Sequence, residues 1–468
     1  MNLREKVYQM IRLREVKHTT LNPYGPGVVR IHLVPPKSSL KEAPSVAILN
    51  GKDILPLKSA WTILMSEFID QINLYDGHEL TDDDLRDVCE KTVNKVHEIY
   101  RKTDVKRIRR DLKNIIKTIC QIAYGESTDF EIPYMTIGEY AKYMKAPHRM
   151  DLMISSMTKE GKWHCNQKCR NCYAAGQYNA EVKELSTDDW KEIIVICQEV
   201  GIPQLTFTGG EPTLRNDLVE LIEYSSWFVT RLNTNGQLLS KDLCKRLYDA
   251  SLDSVQITLY SYDATRHEYL TGSHNGFFRT VEGIKNALAA GLNVSVNTPL
   301  CRTNMDYVKT LEFLHELGVE YVSCSGIIYT GNARDKSISS AQMTETELYE
   351  TLKRATEYCK NAHMEIAFTS PGLVSEEKLK ELGLEIPSCG ACLSNMAIAP
   401  NGDVVPCQSW LDTNSSLGNI LKDPWKKIWK APLCTTIREF ASRMEYRCPL
   451  RNGYEEGGAE KWLKVKNL

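Results

Sequence analysis

The sequence predicts an α/β protein whose middle is built from parallel strands alternating with helices, with a smaller module on either side. About six strand patterns recur between residues 150 and 325, each followed by a helical pattern. The first 130 or so residues run strands first and helices afterwards, and the last 80 or so gather cysteines around an apparent hairpin. At 468 residues and 42% hydrophobic the chain can bury more than one core, and its length predicts about three domains.

In chain order, the strand candidates VVRIHLV, SVAILNG and DILPL come first, followed by helices beginning near Lys58, Asp82 and Val105. In the last helix Val105, Ile108, Leu112, Ile115, Ile116 and Ile119 recur at helical spacing and should be buried. Its other face carries Lys106, Arg107, Arg109, Arg110 and Lys113, which reads as a solvated charged face.

The middle strands are DLMIS near Leu152, QLTFT, TRLNT, SVQITL, NVSVNT and EYVSCS near Val322. Helical segments such as STDDWKEIIVICQEVG lie between them, so right-handed crossovers should join the strands. Ser186 is placed to cap that helix, and Trp190, Ile193, Ile194, Cys197 and Val200 form its buried stripe. Ligands in such folds collect at the carboxyl ends of the strands.

Two loops fall at those ends. The run WHCNQKCRNCYAAGQ holds Cys165, Cys169 and Cys172, a spacing that supplies three thiolates to a four-iron cubane and leaves the fourth iron open. Zinc would require a fourth Cys or His at comparable spacing, and His164, adjacent to Cys165, is poorly placed for it. After the strand Pro203 to Phe207 comes TGGEPTLRND, where Gly209 and Gly210 permit close approach to the backbone and Glu211 supplies a carboxylate. These three residues suit an ammonium group; alone, they also suit a plain strand-to-helix turn in which Pro212 and Asp217 start the next helix.

Together the two motifs resemble those of the radical S-adenosyl-L-methionine (AdoMet) enzymes, whose signature is Cys-x3-Cys-x2-Cys followed by a GGE loop. The resemblance implies a partial (β/α)6 radical SAM barrel, here residues 145–370, with AdoMet and a 4Fe-4S cluster as cofactors. It places the methionyl end of AdoMet on the open iron and its amino group against Gly209, Gly210 and Glu211, with Tyr173 beside adenine. Further matches are NTNG (Asn233 to Gly236) with Asn235, VQITL with Thr258, SVNTP with Asn297, and TGNAR ending in Arg334. An electron donor such as flavodoxin or ferredoxin follows from the same resemblance.

Strands followed by three helices over residues 1–135 resemble the PqqD-like winged-helix module, which recognises the leader of ribosomally made, modified peptides. Such modules take the leader as an added edge strand. A winged helix also suits DNA, but fusion to a radical enzyme makes a nucleic-acid partner the weaker expectation.

Over residues 385–468, CGACLSNMAIAPNGDVVPCQSW places Cys389, Cys392 and Cys407 around a hairpin whose turn is marked by Asn401 and Gly402. Pro406 and Cys407, Gly418 and Asn419, Ile428 and Trp429, then Cys448, resemble a SPASM or Twitch iron-sulfur domain. A full SPASM domain carries more cysteines after this point; here Arg451 stands where the next belongs, and Gly457 and Gly458 lack their flanking cysteines. Four candidates, Cys389, Cys392, Cys407 and Cys448, imply one auxiliary 4Fe-4S cluster, with Cys434 the alternative fourth ligand and four-thiolate zinc the alternative metal.

A net charge of −2 gives no global pull toward nucleic acid or membrane, and no apolar run approaches a membrane span. MNLREKVYQM lacks a signal-peptide core, and an odd count of 15 cysteines fits a reducing compartment, so the cytoplasm is expected. Cys301, Cys324 and Cys359 are read as buried structural thiols. The resemblance implies a 5′-deoxyadenosyl radical that abstracts hydrogen from a precursor peptide, with the auxiliary cluster taking an electron as an intramolecular crosslink forms. A thioether comes first and a carbon-carbon link second. The alternatives are a peptide epimerase, a sulfatase-type protein maturase, and an iron-sulfur DNA-binding regulator.

Overall fold

The computed structural model describes residues 5, 7, 8, 12–21, 29–35, 45–50, 53–75, 80–124, 126–128, 135–335, 341–443 and 447–450. Contacts divide the chain into two compact units. The first comprises Met1–His148 with Cys197–Gln204 and Trp227–Val229, and the second Arg149–Ile196, Leu205–Ser226 and Thr230–Leu468.

In the first unit, β1 (Lys17–Leu21), β2 (Val29–Val34), β3 (Ser45–Leu49) and β4 (Asp53–Leu57) form an antiparallel sheet in sequential order. Helices Ser59–Ile72, Asp82–Ile99 and Val105–Ala123 follow where the sequence places them. Thr81 and Asp84 form a reciprocal capping box at the second helix, and Asp104 caps the third. Ile108, Leu112, Ile115 and Ile119 are buried in one core with Ile31, Leu33, Phe68 and Ile69. The basic side chains of the third helix are exposed, and Arg109 is held bidentately by Glu90 at 2.9 and 2.8 Å.

The second unit is organised by a nine-stranded sheet in the order β13-β12-β11-β10-β9-β8-β5-β14-β15. All six anticipated strands form: β5 (Arg149–Ser155), β8 (Gln204–Gly209), β9 (Val229–Thr234), β10 (Ser254–Thr258), β11 (Val294–Leu300) and β12 (Tyr321–Gly326). A short hairpin of β6 (Thr158–Lys159) and β7 (Lys162–Trp163) leads into the cysteine loop. β13 (Glu365–Phe368) adds a further parallel strand beside β12. At the opposite end β14 (Asn395–Ile398) pairs parallel with β5, and β15 (Val404–Val405) closes the hairpin around Gly402, whose φ is +88°. The C-terminal hairpin therefore extends the parallel sheet.

Helix Thr187–Val200 starts as expected, with Ser186 Oγ accepting from Asp189 N, and it buries Trp190, Ile193, Ile194 and Cys197. Cys301, Cys324 and Cys359 are buried. Along β11, Val294, Val296, Thr298 and Leu300 are buried, while Ser295, Asn297 and Pro299 alternate with them in a half-buried row. No described helix is long and apolar enough to cross a membrane. Arg451, Gly457 and Gly458 lie outside the described residues.

Candidate active site

A cavity of about 590 Å³ opens within the second unit, and Cys165, Cys169 and Cys172 all line it. Their loop is held mainly through backbone groups. Lys168 N and Arg170 N donate to Thr271 O and Leu270 O, each at 2.9 Å, at the end of helix Ala264–Thr271. On the other side Asn332 N donates to Cys172 O at 2.9 Å and Asn332 Nδ2 to Cys169 O at 3.0 Å. Gly331 makes this approach possible: a Cβ there would lie 2.4 Å from the carbonyls of both Cys172 and Tyr173.

Burial pushes the Cys165 thiol up to about 12, with the Glu211 charge adding to it. Burial likewise raises Cys169 strongly, helped by Cys172 and Cys165. Three thiols that mutually disfavour ionisation in a buried site suit a cationic metal centre, which binds them as thiolates. The donor set thus fits a 4Fe-4S cluster held by Cys165, Cys169 and Cys172.

Gly209, Gly210 and Glu211 also line the cavity, but the glycines answer first to the sheet. A Cβ on Gly209, at φ +140°, would lie 2.2 Å from Ser155 O, and one on Gly210 would lie 2.8 Å from Ser156 O. Close strand packing against β5 therefore requires both.

The carboxylate of Glu211 already has four protein donors. Its Oε1 accepts from Thr213 N at 3.0 Å, Thr213 Oγ1 at 2.6 Å and Thr234 Oγ1 at 2.6 Å, and its Oε2 accepts from Asn235 N at 2.8 Å. Burial raises its pKa, against the opposing pull of those hydrogen bonds. The side chain ties the GGE loop to the NTNG loop, and Oε2, with a single donor, keeps acceptor capacity on the cavity wall.

Tyr173, Asn235, Thr258 and Asn297 line the same cavity. Tyr173 packs beside Met153, Met157 and Leu411. Asn235 Nδ2 donates to Asn166 Oδ1 at 2.6 Å, and Asn297 Oδ1 accepts from Ser323 Oγ at 3.1 Å. Arg334 is placed differently: it ends the turn Gly331–Arg334 and does not line the cavity, so this motif meets the site through Gly331 and Asn332. The sequence motifs also pass over Trp163, Arg149, Arg231 and Gln256, all on the cavity wall.

Cys389, Cys407 and Cys448 line the cavity too. Burial pushes Cys389 up to about 12, with Cys448 adding to it, and the Cys407 thiol is raised by burial and by Cys448 and Cys389. Cys392 is fully buried at φ +55°, does not line the cavity, and hydrogen bonds with Cys434. Arg438 Nη1 donates to Cys434 Sγ at 3.3 Å.

Residues 164–314 match the radical SAM superfamily model, and residues 389–450 match that of SPASM, an iron-sulfur cluster-binding domain. An AdoMet-dependent heme synthase of Oleidesulfovibrio alaskensis is 28% identical over 299 residues, spanning 60% of this chain and 75% of that protein. A PqqA peptide cyclase of Bradyrhizobium diazoefficiens is 28% identical over 251 residues, spanning 52% of this chain and 64% of that one. Streptococcus suis SuiB bound to precursor peptide SuiA shares the fold, with a TM-score of 0.59 at 15% identity over 89% of this chain and 94% of that one. The chain is an enzyme that carries a radical SAM domain over residues 164–314. Its radical SAM domain binds AdoMet and a 4Fe-4S cluster, and its SPASM domain binds auxiliary iron-sulfur clusters.

Proposed function

We propose that this enzyme matures a ribosomally made precursor peptide by installing an intramolecular crosslink, a thioether first and a carbon-carbon bond second. The observation that carries the reading is the shared cavity: Cys389, Cys407 and Cys448 line the same space as Cys165, Cys169 and Cys172. A substrate seated there lies between a radical source and an electron acceptor. When bound, AdoMet supplies a hydrogen-abstracting radical. With both clusters bound, crosslinking would remove two hydrogens from the peptide, one as an atom captured by the AdoMet-derived radical and one as a proton whose electron the auxiliary cluster held by Cys389, Cys407 and Cys448 would accept. Epimerisation returns the hydrogen and needs no such acceptor.

The chain's own residues position the substrate. The rows led by Thr258, Asn297 and Gln256 present hydroxyls and amides suited to peptide groups, and Trp163 and Tyr173 add aromatic wall. We assign Cys165, Cys169 and Cys172 to the AdoMet cluster and Cys389, Cys407 and Cys448 to a single auxiliary cluster, with Cys392 or Cys434 as its fourth ligand. The sheet and three helices of the first unit are assigned to leader recognition by edge-strand addition, as in a PqqD-like winged-helix module. The fold likeness to a peptide-bound enzyme over most of the chain supports this division of labour.

The relation to heme synthases favours a second reading, in which the substrate is a haem precursor. Anaerobic coexpression with short peptides encoded beside the gene, followed by mass spectrometry, separates the two. A loss of two hydrogens that vanishes in Cys169→Ala supports peptide crosslinking. Unmodified peptides from every neighbouring candidate, with turnover of an iron porphyrin instead, overturn it.

A further inference from the structure

In the cavity that both cysteine sets line, the inner row of the parallel strands is polar well below the carboxyl ends of the strands. Arg231 on β9 is in register with Ser254 on β10, and Asn233 with Gln256, whereas Thr258 is in register with Asn297 on β11 at the rim. At about 3.3 Å per residue, the four-residue step from Ser254 to Thr258 puts Arg231 roughly 13 Å below that rim, on the cavity wall.

Two guanidinium groups and one carboxylate meet at this depth. Asp151, 1% exposed, is taken up by Arg149, whose Nε and Nη2 donate to its two oxygens at 2.8 and 3.3 Å. Arg231 shares this carboxylate only at a distance: its buried Nε has no hydrogen-bond partner among the described residues. Burial and the neighbouring Arg149 lower its pKa, and Asp151 opposes them. Asn233 Oδ1 and Thr206 Oγ1, both on the cavity wall, are likewise buried without a partner among the described residues. Two guanidinium groups that share one carboxylate leave a net positive charge in a poorly hydrated place, which is costly. Arg231 is on the cavity wall with this charge, beside Thr206 and Asn233.

We propose that Arg231 receives a carboxylate of the substrate, the side chain of an acidic residue close to the modified position. The positive charge selects an aspartyl or glutamyl side chain over its amide counterpart. Arg231 thus sets which peptide segment is drawn into the barrel, while the first unit engages a distant part of the same chain. This rests on the peptide reading above.

Calorimetric titration of the reconstituted, AdoMet-loaded protein with small probes tests it. N-acetylglutamate methylamide is compared with N-acetylglutamine methylamide. The wild-type protein should prefer the glutamyl probe over the glutaminyl one by about tenfold, as for one charge-assisted pair. Arg231→Gln should abolish this preference, with unchanged iron content as the folding control, and Arg231→Lys should restore part of it. Equal binding of the glutamyl and glutaminyl probes by the wild type, no heat from either, or a preference that survives Arg231→Gln overturns the proposal. Its failure is distinct from failure of the peptide reading: a modified peptide with indifferent probes sinks only the carboxylate site, and a glutamyl preference with no modified peptide sinks only the maturase.

Discussion

Glu211 separates the scaffold of the AdoMet loop from its contacts. Replacing it by alanine removes the acceptor of two backbone amides, Thr213 N and Asn235 N, and of the hydroxyls of Thr213 and Thr234. The hydroxyls can turn elsewhere, but the amides cannot. At about 1–3 kcal/mol per buried unmet donor, the two amides together cost about 2–6 kcal/mol. Glutamine keeps an oxygen for the three donors at Oε1 but turns its NH2 toward Asn235 N, which leaves one unmet amide worth about 1–3 kcal/mol. Part of that is offset, since burial raises the Glu211 pKa and a neutral amide escapes this penalty. The expected order of stability is wild type, then Glu211→Gln, then Glu211→Ala. Anaerobic urea titration that follows cluster absorbance reads the unit holding the site, and iron content without urea controls for assembly. An alanine variant within about 1 kcal/mol of wild type, or a glutamine variant weaker than the alanine one, refutes the account.

Gly209→Ala should yield insoluble or cluster-free protein, because its Cβ meets β5 backbone at 2.2 Å, whereas Gly318→Ala, with open space around it at φ +86°, should cost about 1 kcal/mol in the same titration. Cys448→Ser should lower iron from about eight to about four per chain and bleach the auxiliary signal, while a count of about four in the wild type removes the auxiliary site altogether. Asn332→Ala should release iron to a chelator several-fold faster at unchanged initial content, since it removes the side-chain donor to Cys169 O and keeps the backbone donor to Cys172 O. Burial holds the His267 pKa down at about 4, so its folded pKa lies below the unfolded value of 6.5. The unfolded chain therefore binds more protons in that window, and stability present above pH 6.5 is lost as pH falls toward 4, by about 2 kcal/mol between about pH 7 and pH 5. His267→Asn, which can keep an acceptor for Tyr260 N, should flatten that part of the pH–stability curve.

What the sequence reveals and what it hides follow from how far apart the interacting groups lie. The three cysteines of the first loop are legible because the ligands fall within eight residues, from Cys165 to Cys172. What pins that loop is not, because the donors and acceptors are main-chain groups of Leu270, Thr271 and Asn332, about 100 to 160 residues away, and a backbone carbonyl leaves no mark in composition. Arg334 draws attention to a motif whose contribution comes from its glycine and asparagine, and the scaffolding role of Glu211 is hidden because its four donors are scattered over Thr213, Thr234 and Asn235. β1 escapes notice because KHTTL has no apolar alternation and is ordered by its pairing with β2.

The polar row of the parallel sheet did leave a signal. Strands of a parallel sheet covered on both faces read as continuous apolar runs. Here VTRLNT, SVQIT and VSVNTPL instead place Arg231 and Asn233, Gln256 and Thr258, and Ser295 and Asn297 at alternate positions, opposite the apolar residues that meet the helices. A period of two in a parallel strand means that one face is not packed by protein. Several consecutive strands sharing that pattern can bury their polar row only around water or a ligand. The same alternation that locates the cavity therefore states its chemistry, and the one arginine in the row without a carboxylate of its own is where a substrate anion has the most to gain.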